Sequence, residues 1–295
     1  MKNIMDGVWV VDFGKPGKTV AIVGGMHGNE LAGVEVVEFL RKQFSRGELR
    51  LSAGKLILAI GSPPAVQAGA RYVYGEDLNR LFTDLSLGEH AVTWPVQRAQ
   101  DLARALGQAD ILVDLHATNR PSQPFVVCQR RTTAAENALI ALCHVGALIH
   151  DPDYLFGGGE PVSLDEYVTR QGGLGICYET GYAPDLSRPR EIAAQMLALL
   201  GATGLICGGF SNGSGSVPAR FKLCQAIRLD TTAGFAWALG AGQENLEPVQ
   251  SGQALLINCH RQVRASEDGI LVFPKDPSLW RPREPVGYVA KKWGG

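Results

Sequence analysis

Two residues of types that bind metal ions stand three positions apart near the start of the chain. His27 and Glu30 lie in GGMHGNELAGVE (24–35), where an apolar run gives way to a helical pattern. Zinc favours imidazole nitrogen and carboxylate oxygen as ligands, so the two side chains could share one ion. The same spacing fits a loop histidine beside an acid that opposes the dipole of a starting helix. The pair alone leaves both interpretations open.

Further ionisable residues follow other apolar runs. His116 comes after DILVDL, and Glu179 ends LGICYE. Open parallel sheets bind ligands at the carboxyl ends of their strands, so we expect both residues to lie near His27 at one sheet edge. His27, Glu30 and His116 would supply the three protein ligands of a catalytic zinc site, which keeps one position for water. Asp114 could orient a ligand histidine, or could be a paired buried acid.

A polar loop after another predicted strand carries residues that could bind an anion. Arg71, Asn79 and Arg80 lie in ARYVYGEDLNRLF (70–82). The planar donor fork of arginine matches a carboxylate, and two such forks near a metal suit a small acidic molecule. The alternative is that these arginines form surface ion pairs with nearby acids of the same loop and of the segment that follows it.

The pattern of apolar runs predicts an α/β fold. Short runs rich in β-branched residues end at glycine, proline or polar residues and alternate with helical patterns. Because the strands are continuously apolar, we expect a mainly parallel, mixed sheet with helices on both faces. Strands are predicted at 18–25, 55–64, 110–116, 124–129 and 174–179, and helices at 30–44, 94–108, 133–149 and 188–206.

The amino-acid composition of the sequence changes after Cys207. A stretch rich in glycine and serine follows, and beyond it come short strand-like pieces at 222–230, 253–258 and 269–274. We therefore predict an α/β catalytic domain over residues 1–207 and a smaller, mostly β domain over residues 208–295.

Composition excludes several classes of partner and compartment. The chain has 295 residues, 45% of them hydrophobic, and a formal net charge of −1, so no overall field attracts nucleic acid or an anionic membrane. No run approaches the length of a membrane span, and the first residues do not resemble a signal peptide, which predicts a cytoplasmic protein. The six cysteines are widely spaced, which predicts buried thiols rather than disulfides.

Taken together, five motifs resemble the aspartoacylase and succinylglutamate desuccinylase family, which is related to the zinc carboxypeptidases. The motifs are GGMHGNELAGVE, SPPAVQAGARY, DLNRLF, DLHATN and YETG, and they span about residues 20 to 182. Within the family the sequence looks closer to aspartoacylase. The resemblance implies a carboxypeptidase-like catalytic domain, one Zn²⁺ per chain, and a terminal domain that narrows the active-site cleft.

The resemblance also implies roles for individual residues. His27, Glu30 and His116 match the zinc ligands, Glu179 the catalytic glutamate, and Arg71 the arginine that polarises the acyl carbonyl. The residues that match substrate-binding positions are Asn79 and Arg80 for the α-carboxylate, Arg170 with the nearby Tyr167 for the side-chain carboxylate, and Tyr288 over the site. The match is weakest over residues 151–173 and in the short tail that carries Tyr288.

The activity that the resemblance implies is that of an amidohydrolase acting on linear amides. The expected substrate is a small N-acyl acidic amino acid, foremost N-acetyl-L-aspartate, which would give aspartate and acetate. The alternatives are N-succinylglutamate, an N-acyl aromatic amino acid, a peptide with a free C-terminus, and a non-catalytic module that senses acylated amino acids. Family members often form homo-oligomers, but the sequence identifies no contact face.

Overall fold

The computed structural model of the protein describes residues 1–88, 90, 92–208 and 217–294. Seven α-helices are assigned within these ranges: α1 Leu31–Ser45, α2 Pro63–Ala68, α3 Asp84–Gly88, α4 Trp94–Leu106, α5 Ala134–Ala141, α6 Leu164–Arg170 and α7 Pro189–Ala202. The strands are β1 Lys2–Met5, β2 Val8–Asp12, β3 Thr19–Gly24, β4 Lys55–Ile60, β5 Ile111–Thr118, β6 Phe125–Cys128, β7 Ala147–His150, β8 Leu174–Tyr182, β9 Ala219–Arg228, β10 Ala236–Trp237, β11 Pro248–Val249, β12 Ala254–Ile257, β13 Gln262–Arg264, β14 Gly269–Val272 and β15 Pro285–Lys292.

One large mixed sheet forms the centre of the fold. Its strand order is β1-β2-β4-β3-β5-β8-β6-β7-β9-β15-β14-β11. Strands β4, β3, β5 and β8 run parallel to one another, whereas β6 pairs antiparallel with β8. The prediction of an α/β fold with a mixed sheet is confirmed, and the parallel strands are those that carry the candidate site residues.

Helices cover both faces of this sheet, as the continuously apolar strands predicted. On one face Val36 and Leu40 of α1 and Met196 of α7 pack in a common core with β3, β4 and β5. On the other face Leu102 of α4 and Val168 of α6 pack against the alternate residues of the same strands. Strands buried on both faces have no solvent-facing side, so their sequences do not alternate between apolar and polar residues.

The predicted helix 133–149 was wrong over its second half. Helix α5 ends at Ala141, and Ala147–His150 forms β7, which pairs parallel with β6. His144 has a φ of +50°, a left-handed conformation that the interior of an α-helix does not contain. An apolar run that crosses such a turn has no periodicity of its own that would reveal the change from helix to strand.

The terminal strands continue the same sheet. Strand β9 pairs parallel with β7 and antiparallel with β15, and β14 extends the sheet from β15. Strands β10, β12 and β13 form a separate three-stranded sheet. We call residues 217–294 the terminal region. The division into domains 1–207 and 208–295 stays a prediction, and residues 209–216 of the glycine- and serine-rich stretch lie outside the described residues.

The six thiols do not all have the predicted surroundings. All six cysteines are free. Cys128 and Cys143 are buried, but Cys207 and Cys259 are exposed, so the prediction of buried thiols was wrong for these two. No helix in the described part of the chain is long and apolar enough to cross a membrane.

Candidate active site

The loop that carries His27 is held at the carboxyl end of β3 by close backbone packing. A Cβ atom at Gly28 would lie 2.0 Å from the carbonyl oxygen of Ala65, and one at Gly33 would lie 2.8 Å from that of Leu115. Only glycine allows approaches this close. The two contacts press the loop against α2 and the first turn of α1 against β5, and β5 also carries His116.

Three side chains of the predicted metal site meet at this edge of the sheet. His27 Nδ1 lies 2.8 Å from Glu30 Oε1, and His116 Nδ1 lies 3.0 Å from Glu30 Oε2. All three residues are almost fully buried, and one ligand atom from each lies within 4.8 Å of the others. The cluster could hold a metal ion. Glu30 precedes α1, but its side chain makes no capping bond to that helix, which argues against a helix-starting role alone.

Carboxylates stand behind both imidazoles. His27 Nε2 lies 3.1 Å from Asp77 Oδ1, and His116 Nε2 lies 3.0 Å from Asp114 Oδ2. A partner on the far nitrogen fixes the tautomer and the orientation of a metal-ligating histidine. The short distance fits the orienting role for Asp114, although neither Asp114 oxygen makes a well-directed hydrogen bond among the described residues. The structure also brings Asp77, an acid of the 70–82 loop, against His27.

The charges of the cluster are strongly coupled. Burial alone would raise the pKa of Glu30, but the two imidazoles beside it hold that pKa well below its usual range. Burial disfavours the charged form of His116, yet Asp114 and Glu30 raise its pKa well above the ordinary value. A divalent cation replaces the protons of such a cluster, because it satisfies the same carboxylate and imidazole lone pairs.

Glu179 lies beside the cluster on the neighbouring strand. It is directly opposite His116 in the pairing of β5 with β8. Burial raises its pKa to about 7. Within the described part of the chain, its Oε2 atom is buried and has no hydrogen-bond partner. A carboxyl group with a pKa near neutrality and a free oxygen is suited to accept and return a proton.

The predicted anion-binding residues line the same cleft, which has a volume of about 170 Å³. Arg71 donates from Nη1 to Glu30 Oε1 at 3.1 Å, and its Nη2 lies 3.6 Å from Asp77 Oδ2. Asn79 is buried and accepts a bond from the backbone N–H of Leu164. Arg80 donates to the Asn79 carbonyl oxygen and, among the described residues, forms no ion pair with a carboxylate.

The terminal region closes one side of the cleft with aromatic rings. Tyr288 on β15 and Phe273 after β14 both line the cleft. The ring of Phe156 meets that of Tyr288 edge to face at 4.8 Å and that of Phe273 at 5.3 Å. Burial raises the pKa of Tyr288 to about 12, so its hydroxyl stays protonated. Tyr288 thus lines the same cleft as the candidate metal residues, and its part in binding a substrate stays a prediction.

Two predicted residues are not brought to the cleft. Arg170 forms a bidentate ion pair with Asp84, at 2.7 and 3.2 Å, and its guanidinium lies over the ring of Tyr167. Tyr167 packs toward Phe82. Helix α6 begins at Leu164, so its first turn faces the cleft while Tyr167 and Arg170 lie farther along it. This placement does not support the prediction that Arg170 and Tyr167 bind the side-chain carboxylate of the substrate.

Other residues that sequence reasoning missed do line the cleft. Asp165 and Glu166 belong to the first turn of α6, and Glu166 closes a capping box with Ser163. The pattern S-x-x-E before an apolar run could have revealed that helix start. Lys275 comes from the terminal region, and no motif in the sequence pointed to it.

Comparison with known proteins decides the family. The model of the succinylglutamate desuccinylase/aspartoacylase catalytic domain matches residues 16–202, which is more than half of the chain. The chain belongs to this family. The match contains the whole candidate metal cluster, Glu179 and the three residues of the 70–82 loop that are predicted to bind an anion.

Relatives within the family carry different names. The chain is similar to an N-acyl-aromatic-L-amino acid amidohydrolase (carboxylate-forming) of Rattus norvegicus, with 32% identity over 63% of this chain and 60% of the relative. It is also similar to a succinylglutamate desuccinylase of Erwinia tasmaniensis, with 31% identity over 71% of this chain and 65% of the relative. The chain thus covers less than two thirds of either relative's length.

The fold is shared over nearly the whole chain. A solved structure of succinylglutamate desuccinylase from Vibrio cholerae matches with a TM-score of 0.77, 18% identity, and coverage of 97% of this chain and 85% of that one. At this identity the likeness establishes the fold and does not choose a substrate. Because the relatives are named for different substrates, the substrate of this chain has to be inferred from the residues that line its cleft.

Proposed function

We propose that the protein is a zinc-dependent amidohydrolase that removes the acyl group from an N-acyl amino acid, with N-acetyl-L-aspartate as the expected substrate. The observation that carries the proposal is the convergence of His27, Glu30 and His116 beside a buried Glu179 with one unpaired oxygen. Two imidazole nitrogens and one carboxylate form the ligand set of hydrolytic zinc sites, so the residues present fit this metal.

His27, Glu30 and His116 would hold the ion, and Asp77 and Asp114 would orient the two imidazoles. Bound zinc supplies Lewis acidity, which polarises a carbonyl group and lets water ionise near neutral pH. The protein then has to move one proton, place the acyl carbonyl and hold the amino acid, and each task has a residue in the cleft.

Glu179 is the proton carrier. Its unpaired Oε2 accepts a proton from the water that attacks the acyl carbon, and the same atom delivers that proton to the amide nitrogen as the C–N bond breaks. Arg71 places a guanidinium where negative charge develops on the carbonyl oxygen; loss of one such donor typically costs about 10²- to 10³-fold in rate. Arg80 and Asn79 hold the α-carboxylate of the amino acid.

A second candidate is deacylation of N-acyl aromatic amino acids. The edge-to-face cluster of Phe156, Phe273 and Tyr288 favours it, because aromatic pairs in this geometry add to the free energy of burying a ring. The relative from Rattus norvegicus carries that activity in its name. N-acetylphenylalanine is therefore the necessary competitor in any substrate comparison.

The test is Glu179→Gln, measured by zinc content and by release of amino acid from N-acetylaspartate, N-succinylglutamate and N-acetylphenylalanine. Glutamine keeps the size of the side chain but cannot accept the proton, so we expect zinc to remain bound and kcat to fall at least about 10³-fold. Glu160→Gln, a change at an exposed acid, is the matched control and should leave turnover unchanged. Wild-type turnover by the Glu179 variant would remove this residue from the reaction.

A further inference from the structure

Lys275 brings a positive charge from the terminal region to the cleft. It lies between β14 and β15, next to Phe273 and Pro274, which also line the cleft. Neither the family match, which ends at residue 202, nor any motif of the sequence gives Lys275 a role.

The backbone of Lys275 is fixed by three hydrogen bonds. Its N–H donates to the carbonyl oxygen of Val286 at 2.8 Å. Its own carbonyl oxygen accepts from the indole N–H groups of Trp237, at 2.9 Å, and Trp280, at 3.0 Å. Two bulky indoles that donate to one oxygen hold this backbone position rigidly, which is what a binding residue on a loop requires.

The next residue ties this loop to the catalytic part of the molecule. Asp276 Oδ2 lies 3.1 Å from Arg120 Nη2, and Arg120 follows β5 and lines the cleft. The backbone N–H of Asn245, another lining residue, donates to the carbonyl oxygen of Pro121 at 2.9 Å. These contacts set the position of Lys275 relative to the strand that carries His116.

The ammonium group of Lys275 has little compensation for its charge. The nearest carboxylate oxygen within the described residues is Glu284 Oε2, at 4.0 Å, and the side chain is 37% exposed. Burial lowers the pKa of Lys275, the Glu284 carboxylate opposes that shift, and the neighbouring charges of Arg80 and Arg71 add to it. Arg71, Arg80 and Arg120 line the cleft together with Lys275, so four cations face it, and an anion bound among them would relieve their repulsion.

The four cations are not equally free. Arg71 is already engaged by Glu30 and Asp77, and Arg120 is engaged by Asp276. Arg80, with Asn79, is matched to the α-carboxylate. The ammonium group of Lys275 is therefore left to bind a second negative charge. We propose that Lys275 binds a second carboxylate of the substrate, so that the terminal region selects N-acyl amino acids with an acidic side chain. This inference rests on the proposed function and assigns to Lys275 the role that the sequence had predicted for Arg170.

The test compares two substrates of the same shape and different charge, N-acetylaspartate and N-acetylasparagine, on the zinc-loaded full chain. Lys275→Met keeps the length of the stem and removes the charge. We expect kcat/KM for N-acetylaspartate to fall about 10- to 100-fold, mainly through KM, because a hydrogen bond to a charged group is lost. The value for N-acetylasparagine should change less than about threefold. Lys275→Arg should restore much of the preference for aspartate.

Lys292→Met is the matched control, since this lysine is exposed and lies at the end of β15 in the same terminal region. It should leave both substrates unaffected. Equal losses on the two substrates, or no loss on either, would overturn the assignment. Calorimetry of the same two ligands on the Glu179→Gln protein, with and without Lys275→Met, separates the inference from the proposed function. If the wild type hydrolyses neither substrate, a preference for N-acetylaspartate in binding that depends on Lys275 would still support it, and equal affinities would reject it.

Discussion

The metal end and the substrate end of the cleft are built in different ways. At the metal end, His116 and Glu179 stand opposite each other on two paired parallel strands, and His27 follows a third. At the substrate end, Tyr288 and Lys275 come from a region whose strands join the sheet beyond β7. The first arrangement follows from local sequence and sheet geometry, whereas the second depends on how a distant part of the chain folds back.

This difference explains which candidate site residues could be placed from the sequence. Parallel strands present their carboxyl ends at one edge, so residues that follow separate apolar runs must meet there. No comparable rule connects residue 170 or residue 275 with that edge. Motif matching assigned Arg170 to the substrate end of the cleft. In the structure Lys275 lines the cleft instead, on a loop that is anchored by the indole groups of two tryptophans.

The metal end can be tested through the residue behind His27. Asp77→Asn should weaken zinc binding about 10- to 100-fold, because the imidazole loses the carboxylate that fixes its orientation and raises its basicity. Competition with a chromophoric chelator measures this affinity directly. Turnover at saturating zinc should recover a larger part of the wild-type value than at limiting zinc.

Asp84→Asn is the control for the Asp77 variant, since Asp84 pairs only with Arg170 among the described residues. It should leave zinc affinity unchanged. If Asp77→Asn also bound zinc as tightly as the wild type, the carboxylates behind the imidazoles would have no part in organising the site.

At the substrate end of the cleft we predict a much smaller effect, because Arg170 does not line the cleft. Arg170→Met should change kcat/KM for N-acetylaspartate less than about threefold and leave its preference over N-acetylasparagine intact. The ion pair with Asp84 is at the surface, where such pairs contribute little to stability. The measurement is the same pair of steady-state assays as for Lys275. A large loss of kcat/KM for N-acetylaspartate, without a similar loss for N-acetylasparagine, would show that Arg170 binds the side-chain carboxylate.

Much of the fold could be predicted, because long apolar patterns determine their own secondary structure. The helix expected at 30–44 and that expected at 94–108 appear as α1 and α4 with small shifts at their ends. Periodicity does not reveal elements as short as α6, for which the S-x-x-E pattern at its start is the available signal, and it does not reveal the break at His144 inside an apolar run. Strand order beyond β8 depends on tertiary pairing and has no local signal.

The residues of the candidate site also differ in whether the sequence alone could predict them. The ligand cluster, Glu179 and Arg71 stand in motifs whose resemblance to the family implied their roles. Asp77 stands in the same loop as Arg71, but its contact with His27 appears only once β3 and that loop are packed together. Lys275 needs both the indole anchors and the Arg120–Asp276 pair, which join segments far apart in the sequence.

The proposed hydrolysis requires that one ion is held by His27, Glu30 and His116. Anomalous diffraction from crystals of the zinc-loaded protein, collected on both sides of the zinc absorption edge, tests it most directly. We expect a single strong peak within coordination distance of the Nδ1 atoms of both histidines and of the Glu30 carboxylate. A peak elsewhere, or none at this cluster in fully loaded protein, would contradict it.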